Sequence, residues 1–435
     1  MELQLHSGSI QETVTIPDEH LMGILDAPRF PGHHSDTRTL VTHGLNHPVD
    51  SSSLESLLTA ESRITIIVDD NSRPTPTASL LPPVIEKLSS LGIKDPQISL
   101  IIGKGLHRSP TRAERVAIFG EEIMDRLHID ENNAEDPHAF SFLGSTSNGT
   151  PVHINKKVVE SDLVITIGVI KAHSFAGFTG GAKSILPAVS AKETILHNHS
   201  YQFLSYSDES VGEPDKSFTR RDMEEAAGLL PVPLVIVNTV LDENKQPFAV
   251  LCGNYISAHR RGVALFKKHA SVELKQPADM VIIEGKYPSS ENLYFALSNM
   301  ATVAGTRNPV VKEGGTIILV AECRDGIGAD VVETMFADAG TPFDVLNELR
   351  AHPTRPGQWA AQHLSTYLTK RKIGIVSRGL SMEQIQKLHM IPFDTVQQAI
   401  ESGLEEYGTG ARILVARSGD MLIANSALEK HGSLA

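Results

Sequence analysis

Short runs of β-branched and aliphatic residues, each closed by turn-forming residues, recur along this chain at the spacing of strands in a parallel sheet. Residues 64–68 (ITIIV), 98–102 (ISLII), 163–167 (LVITI) and 234–237 (LVIV) read as buried strands. Residues 280–283, 316–320, 373–376 and 413–415 repeat the pattern further on, with helical stretches such as 290–303 and 382–388 between them. Alternation of this kind requires helical crossovers, so the expected class is α/β, with mostly parallel sheets. One hydrophobic core rarely organises 435 residues, which makes two domains the default. The expected boundary lies between Ser257 and Pro277, where a basic helix (AHRRGVALFKKHA) runs into a short polar connection. Residues 1–272 then form a catalytic domain and 273–400 an α/β domain closing over it, with the active site in the cleft between them. Residues 401–435 are expected to pack back on the first domain, ending in an exposed tail, NSALEKHGSLA.

Charge and cysteine content narrow the function. A net charge of -13 with no basic stripe argues against a nucleic-acid partner, while leaving room for a small anionic substrate held by local cations. Cys252 and Cys323 are the only cysteines and form no CxxC pair, so neither a disulfide framework nor a thiolate metal site is expected. No run approaches the roughly 18 apolar residues needed to span a bilayer, and the first residues, MELQLHSGSIQETVTIP, do not read as a secretory signal. A cytoplasmic enzyme without a membrane partner is expected. Nothing in the sequence sets the oligomeric state.

Ligands of open parallel sheets collect at the carboxyl ends of strands, and three of the first four strands deliver polar segments there. After residues 64–68 comes Asp69-Asp70-Asn71-Ser72-Arg73-Pro74, which alone reads as an Asx-type turn, although Arg73 is a rigid fork suited to a carboxylate or phosphate. After residues 98–102 comes Gly103-Lys104-Gly105-Leu106-His107-Arg108. Paired with a second histidine across a cleft, His107 suits a general acid or base near neutral pH. The third segment holds Lys171, His173 and AGFTGGAKS at 176–184, a density of glycine and lysine that suggests an anion cradle. A phosphate-binding P-loop needs glycine just before the lysine and follows its strand directly; here Ala182 precedes Lys183, after a loop of about ten residues. His197 and His199, two residues apart, are by themselves a weak metal signal.

Four of these pieces, DNSRP at 70–74, GLHR at 105–108, HSFAGFTGGAKSILPAVSAKETI at 173–195 and HNH at 197–199, resemble in order and spacing the nickel-dependent lactate racemase family. GKYPSSENLYFALSNM at 285–300 is similar to that family's helix-start motif. The resemblance implies a nickel-pincer nucleotide, pyridinium-3,5-bisthiocarboxylic acid mononucleotide, tethered to Lys183, with nickel bound by His199. It implies that Asp70, Asn71, Ser72 and Arg73 contact the cofactor, Arg73 also lying near the substrate, and that His107 and His173 act as bases, one for each stereoisomer. The implied reaction is racemisation or 2-epimerisation of a 2-hydroxy acid by reversible hydride transfer from C2, through a 2-oxo acid. Enzymes that make the cofactor would be required partners. The chemistry suits the composition, since tetragonal nickel favours strong-field donors that a chain without a thiolate cluster must take from its cofactor. His197 is expected to be structural, and the glycines beside Lys183 to let a planar cofactor lie against the backbone.

One departure concerns the substrate. Where lactate racemases carry glutamine and, three residues later, lysine, this chain has Phe295 and Ser298. Losing the lysine removes a charge-assisted contact and phenylalanine makes the wall apolar, so a larger hydroxy acid or sugar acid is expected ahead of lactate. Two other functions stay open at this point: a non-catalytic hydroxyacid-binding or sensor homologue, and a P-loop-like nucleotide hydrolase.

Overall fold

A computed structural model describes residues 1–30, 35–207, 209–417 and 423–427. It has the expected α/β architecture, built on two six-stranded sheets. The first sheet runs in the order Pro247–Asn254, Leu234–Leu241, Leu163–Val169, Ile64–Asp69, Ile98–Gly103, Ile129–Glu131. Every neighbouring pair is parallel except the edge strand Pro247–Asn254. Strand alternation sends Ile64, Ile66 and Val68 into one core and Ile67 into another, because helices cover both faces. This double burial explains why these strands read as near-continuous apolar runs.

From Ile64–Asp69 the chain adds strands on one side, then returns to place Leu163–Val169 on the other. The sheet therefore reverses its order beside Ile64–Asp69, and the crevice at such a reversal is where ligands bind. Val68 is level with both Ile102 and Ile167, so the loops after all three strands emerge at one height.

The second sheet is parallel throughout: Ile391–Phe393, Lys372–Val376, Val311–Val320, Ala278–Glu284, Ile413–Ala416, Leu21–Leu25. Its last strand corrects the expected domain division. Residues 1–25, placed in the first domain by the sequence, belong to the second: Leu21–Leu25 pairs with Ile413–Ala416, and the hairpin Glu2–Ser7/Ile10–Thr15 packs Leu5, Ile10 and Val14 against Ile282 and Ile318. The apolar face of that hairpin finds its complement only there. Residues 401–416 are likewise integral to the second domain, in the helix Val396–Tyr407 and the strand Ile413–Ala416. The strand Ile423–Ser426 pairs with Ser271–Leu274, and Ile423 reaches the first domain beside Ile170 and Phe178. Asn425 and Ser426 are therefore strand residues and not tail, while 428–435 lie outside the described residues. Among the described residues no helix is long and apolar enough to cross a membrane.

Candidate active site

The loops at the reversal of the first sheet and two helices of the second domain enclose one cleft. It is lined by Asp70, Ser72, Arg73, His107, His173, Lys183 and His199 from the first domain, and by Tyr294, Phe295, Ser298, Trp359 and His363 from the second. Most of the residues picked from the sequence therefore converge. Asn71 is set apart: its Nδ2 donates to Glu114 at 2.9 Å and it lines the adjoining outer cavity.

Buried Asp70 pairs with half-buried His107. The imidazole Nδ1 lies 2.7 Å from Asp70 Oδ2, and Asp70 Oδ1 accepts the Ser72 amide at 3.1 Å. Burial opposes the charge on Asp70, yet its contacts with His107, Arg73 and Ser72 outweigh it and hold the carboxyl below its usual range. With Nδ1 turned to a carboxylate, His107 keeps Nε2 for the cleft. Arg73 donates to the Ser72 carbonyl at 3.2 Å, and among the described residues no carboxylate lies within ion-pair distance of it.

His173 has a different setting. Its Nδ1 accepts from the Phe175 and Ala176 amides at 3.5 and 3.4 Å. Burial, and then the charges of Lys183, Arg73 and Arg220, push its pKa well below the ordinary histidine value. Lys183 sits on the short 3-10 turn Gly181–Ser184 and is 9% exposed. Burial first, then Arg73 and Arg220, drive its amine well below the usual lysine pKa, with Asp69 opposing. A desolvated amine of this kind loses its proton readily and becomes a nucleophile.

His199 closes the helix Lys192–Asn198 and is buried between the rings of Phe175 and Trp359, at 5.0 and 5.2 Å. Among the described residues its Nδ1 has no hydrogen-bond partner, an orphaned atom that asks for a ligand. His197 faces away: Nδ1 meets the Thr150 hydroxyl at 2.9 Å, and that hydroxyl donates to Asp222 at 2.8 Å, the structural role expected for it.

The glycines around Lys183 serve a purpose other than the one expected. Gly180 and Gly181 have φ of +76° and +59°, and a Cβ would lie 2.6 Å from Asn238 Oδ1 and 2.9 Å from the Tyr255 carbonyl, respectively. Their missing side chains make room for the protein itself. After the strand Leu163–Val169 comes a small ladder, Ala172–His173 with Gly177–Phe178, and only then the turn bearing Lys183. No helix N-terminus follows the strand directly, so a P-loop is absent here.

The chain matches the family model of the lactate racemase N-terminal domain over residues 7–212 and that of the C-terminal domain over 273–424. A lactate racemase of Lactiplantibacillus plantarum is 31% identical over 411 residues, covering 94% of this chain and 96% of its own. The chain belongs to the lactate racemase family. It is accordingly an isomerase. A second lactate racemase, from Thermoanaerobacterium thermosaccharolyticum, is 29% identical over 427 residues, 97% of this chain and 98% of its own. The structure of that organism's lactate racemase apoprotein superposes with a TM-score of 0.88, covering 98% of this chain and 100% of the other. A Thermotoga maritima protein of 15% identity shares the fold, at a TM-score of 0.71.

In this member of the lactate racemase family several site residues escape a reading of the sequence. Arg220 is fully buried and donates to the carbonyls of Ala176 at 3.2 Å, Gly180 at 3.0 Å and Phe178, clamping the loop that carries His173 toward Lys183. Burial lowers its pKa to about 10. Trp359 and His363 come from the helix Gln358–Leu368, far from any motif; four residues apart, they share one helix face, the only hint available. Burial lowers His363 to about 4. Phe295 sets its ring edge-on to His107 at 5.6 Å, and Ser298 donates to the Phe295 carbonyl at 2.6 Å.

Proposed function

We propose that this protein is a 2-hydroxyacid racemase or 2-epimerase that works with a nickel-pincer nucleotide attached to Lys183. The observation that carries the reading is the convergence, in one interdomain cleft, of a buried amine, a histidine with an orphaned nitrogen and two further imidazoles in unlike settings. Among the described residues no three His, Cys, Asp or Glu side chains are placed to hold a metal ion together. A metal here would draw on a single protein donor, His199, and on sulfurs of the bound group. The residues fit that group: Lys183 for the covalent link, His199 for nickel, and Asp70, Ser72 and Arg73 around it. When bound, the nucleotide supplies a reversible hydride acceptor for the substrate's C2, by way of a 2-oxo acid.

The chain does the rest. Arg73, within ion-pair distance of no carboxylate among the described residues, holds the substrate carboxylate. His107 takes the hydroxyl proton at Nε2 from one stereoisomer, steadied through Nδ1 by Asp70. His173, with Nδ1 on backbone amides, exchanges the proton of the other at Nε2. Trp359, Tyr294 and Phe295 limit water in the cleft, which keeps an oxo acid from escaping. The substrate is small, the cofactor-making enzymes are the required partners, and two buried free thiols suit a reducing cytoplasm.

Co-expression with the cofactor-making enzymes tests this. Mass analysis should show added mass on the Lys183 peptide and nickel in the protein, and chiral analysis should show inversion of at least one 2-hydroxy acid. A loaded sample that inverts none of them, and transfers no C2 deuterium label to an added 2-oxo acid, would overturn the proposal.

A further inference from the structure

Past Phe295 the cleft continues into a second cavity of about 400 Å³. It shares His107, Tyr294, Phe295 and Trp359 with the catalytic cleft and touches none of His173, Lys183 and His199. An apolar cavity of about 150 Å³ already holds benzene, so there is room for a group far larger than methyl. Its position matters as much as its size. The ring of Phe295, at the mouth of this space, lies 5.6 Å from that of His107, the base proposed for the substrate's hydroxyl.

Most of the polar groups around the cavity already have protein partners. Arg108 donates to both oxygens of Glu114, at 2.8 and 2.7 Å, and lies 3.7 Å from Glu291. Asn71 is held by Glu114, Asn292 Oδ1 accepts the Phe295 amide at 2.9 Å, and Trp359 Nε1 donates to the Tyr294 hydroxyl. What remains for a ligand is the surface of Leu106, Tyr294, Phe295 and Trp359. The carboxylates of Asp70 and Asp325, also on its wall, repel a second acid group. A polyol would surrender water for few free partners. Ser298, the one residue suited to an extra hydroxyl, does not line this cavity and spends its own donor on the Phe295 carbonyl.

We infer that this cavity is the tail pocket of the substrate, and that the enzyme prefers 2-hydroxy acids with a neutral apolar side chain larger than methyl, branched aliphatic or aryl. The inference rests on the racemase reading and narrows its substrate. The test uses cofactor-loaded enzyme and five acids: lactate, 2-hydroxy-4-methylpentanoate, 2-hydroxy-3-phenylpropanoate, 2-hydroxybutanedioate and gluconate. The second and third should have kcat/KM at least tenfold above the other three. Filling the cavity from Ala329, with Ala329→Leu and then Ala329→Phe, should lower the ratio of the phenyl acid to lactate stepwise, by at least tenfold in the larger variant, at an unchanged melting temperature. Lactate, the diacid or gluconate turned over as well as the apolar acids would overturn the tail pocket and leave the racemase standing. Should loaded enzyme invert none of the five, the racemase reading fails instead, and Trp359, the only tryptophan of the chain, decides the pocket alone. Its fluorescence should then report the phenyl acid binding at least tenfold tighter than lactate; equal affinities would sink the inference.

Discussion

His107 leans on a buried carboxylate, whereas His173 leans on two backbone amides and is ringed by cations. Both line the same cleft, yet the hydrogen bonds at Nδ1 give them opposite neutral tautomers. His107, giving its Nδ1 proton to Asp70, offers an empty Nε2 and is ready to accept. His173, accepting at Nδ1, carries its proton on Nε2 in this arrangement. Two unlike imidazoles suit a racemase, because the two stereoisomers present their hydroxyl groups from two directions and each needs a proton acceptor on its own side. The difference arises from the loops: residues 69–74 bring a carboxylate beside His107, and residues 173–184 bring Lys183 beside His173.

The sharpest way to break the comparison is to delete each side. His107→Gln and His173→Gln, in loaded enzyme, should each slow racemisation by about 10²- to 10⁴-fold. Transfer of a C2 deuterium label from substrate to an added 2-oxo acid should survive for one enantiomer only, and for a different one in each variant; survival for the same enantiomer in both would show that the two imidazoles are not divided by stereoisomer. A smaller effect is expected at Asp70→Asn. That change keeps the shape and loses the charge that fixes the His107 tautomer, so kcat should fall by roughly 10- to 100-fold for the enantiomer that His107 serves, with the other less affected.

On the other side, Arg220→Met should leave three carbonyls without their donor and cost about 3 kcal/mol, seen as a lower melting temperature and a smaller fraction of Lys183 modified on co-expression. Acid should attack that same side. His173, His259 and His363 all have folded pKa values below the ordinary 6.5, so the unfolded chain binds more protons as the pH drops. Their stabilising effect is complete above about pH 6.5 and is lost as the pH falls toward about 4, where His363 titrates. Melting temperatures of the unloaded chain should decline by a few degrees across that interval, and His363→Phe should reduce the slope; a flat profile would mean that the burial of these imidazoles carries no energy.

The strands were legible because burial on both faces turns them into uninterrupted apolar runs, and the catalytic histidines and Lys183 because they follow such runs at the sheet's reversal. Other features left no local trace. The pairing of Leu21–Leu25 with Ile413–Ala416 joins segments at opposite ends of the chain, and no periodicity within either announces the other. Arg220 sits in a stretch, TRRDMEE, that looks like the wet face of a helix; its burial is decided by three carbonyls from another loop. The glycines were visible, but their neighbours, Asn238, Tyr255 and Pro214, were not, and so the space they provide was assigned to a cofactor.

The strand Leu21–Leu25 also has a consequence for how the molecule is made. Leaving the ribosome early, it must wait about 390 residues for Ile413–Ala416, its partner. At a synthesis rate of about 5–20 residues per second that is roughly 20 to 80 seconds. During the interval the whole first domain emerges and has time to fold, so the second sheet is closed around a finished insertion by a strand made after it, and the cleft between the domains exists only from that moment.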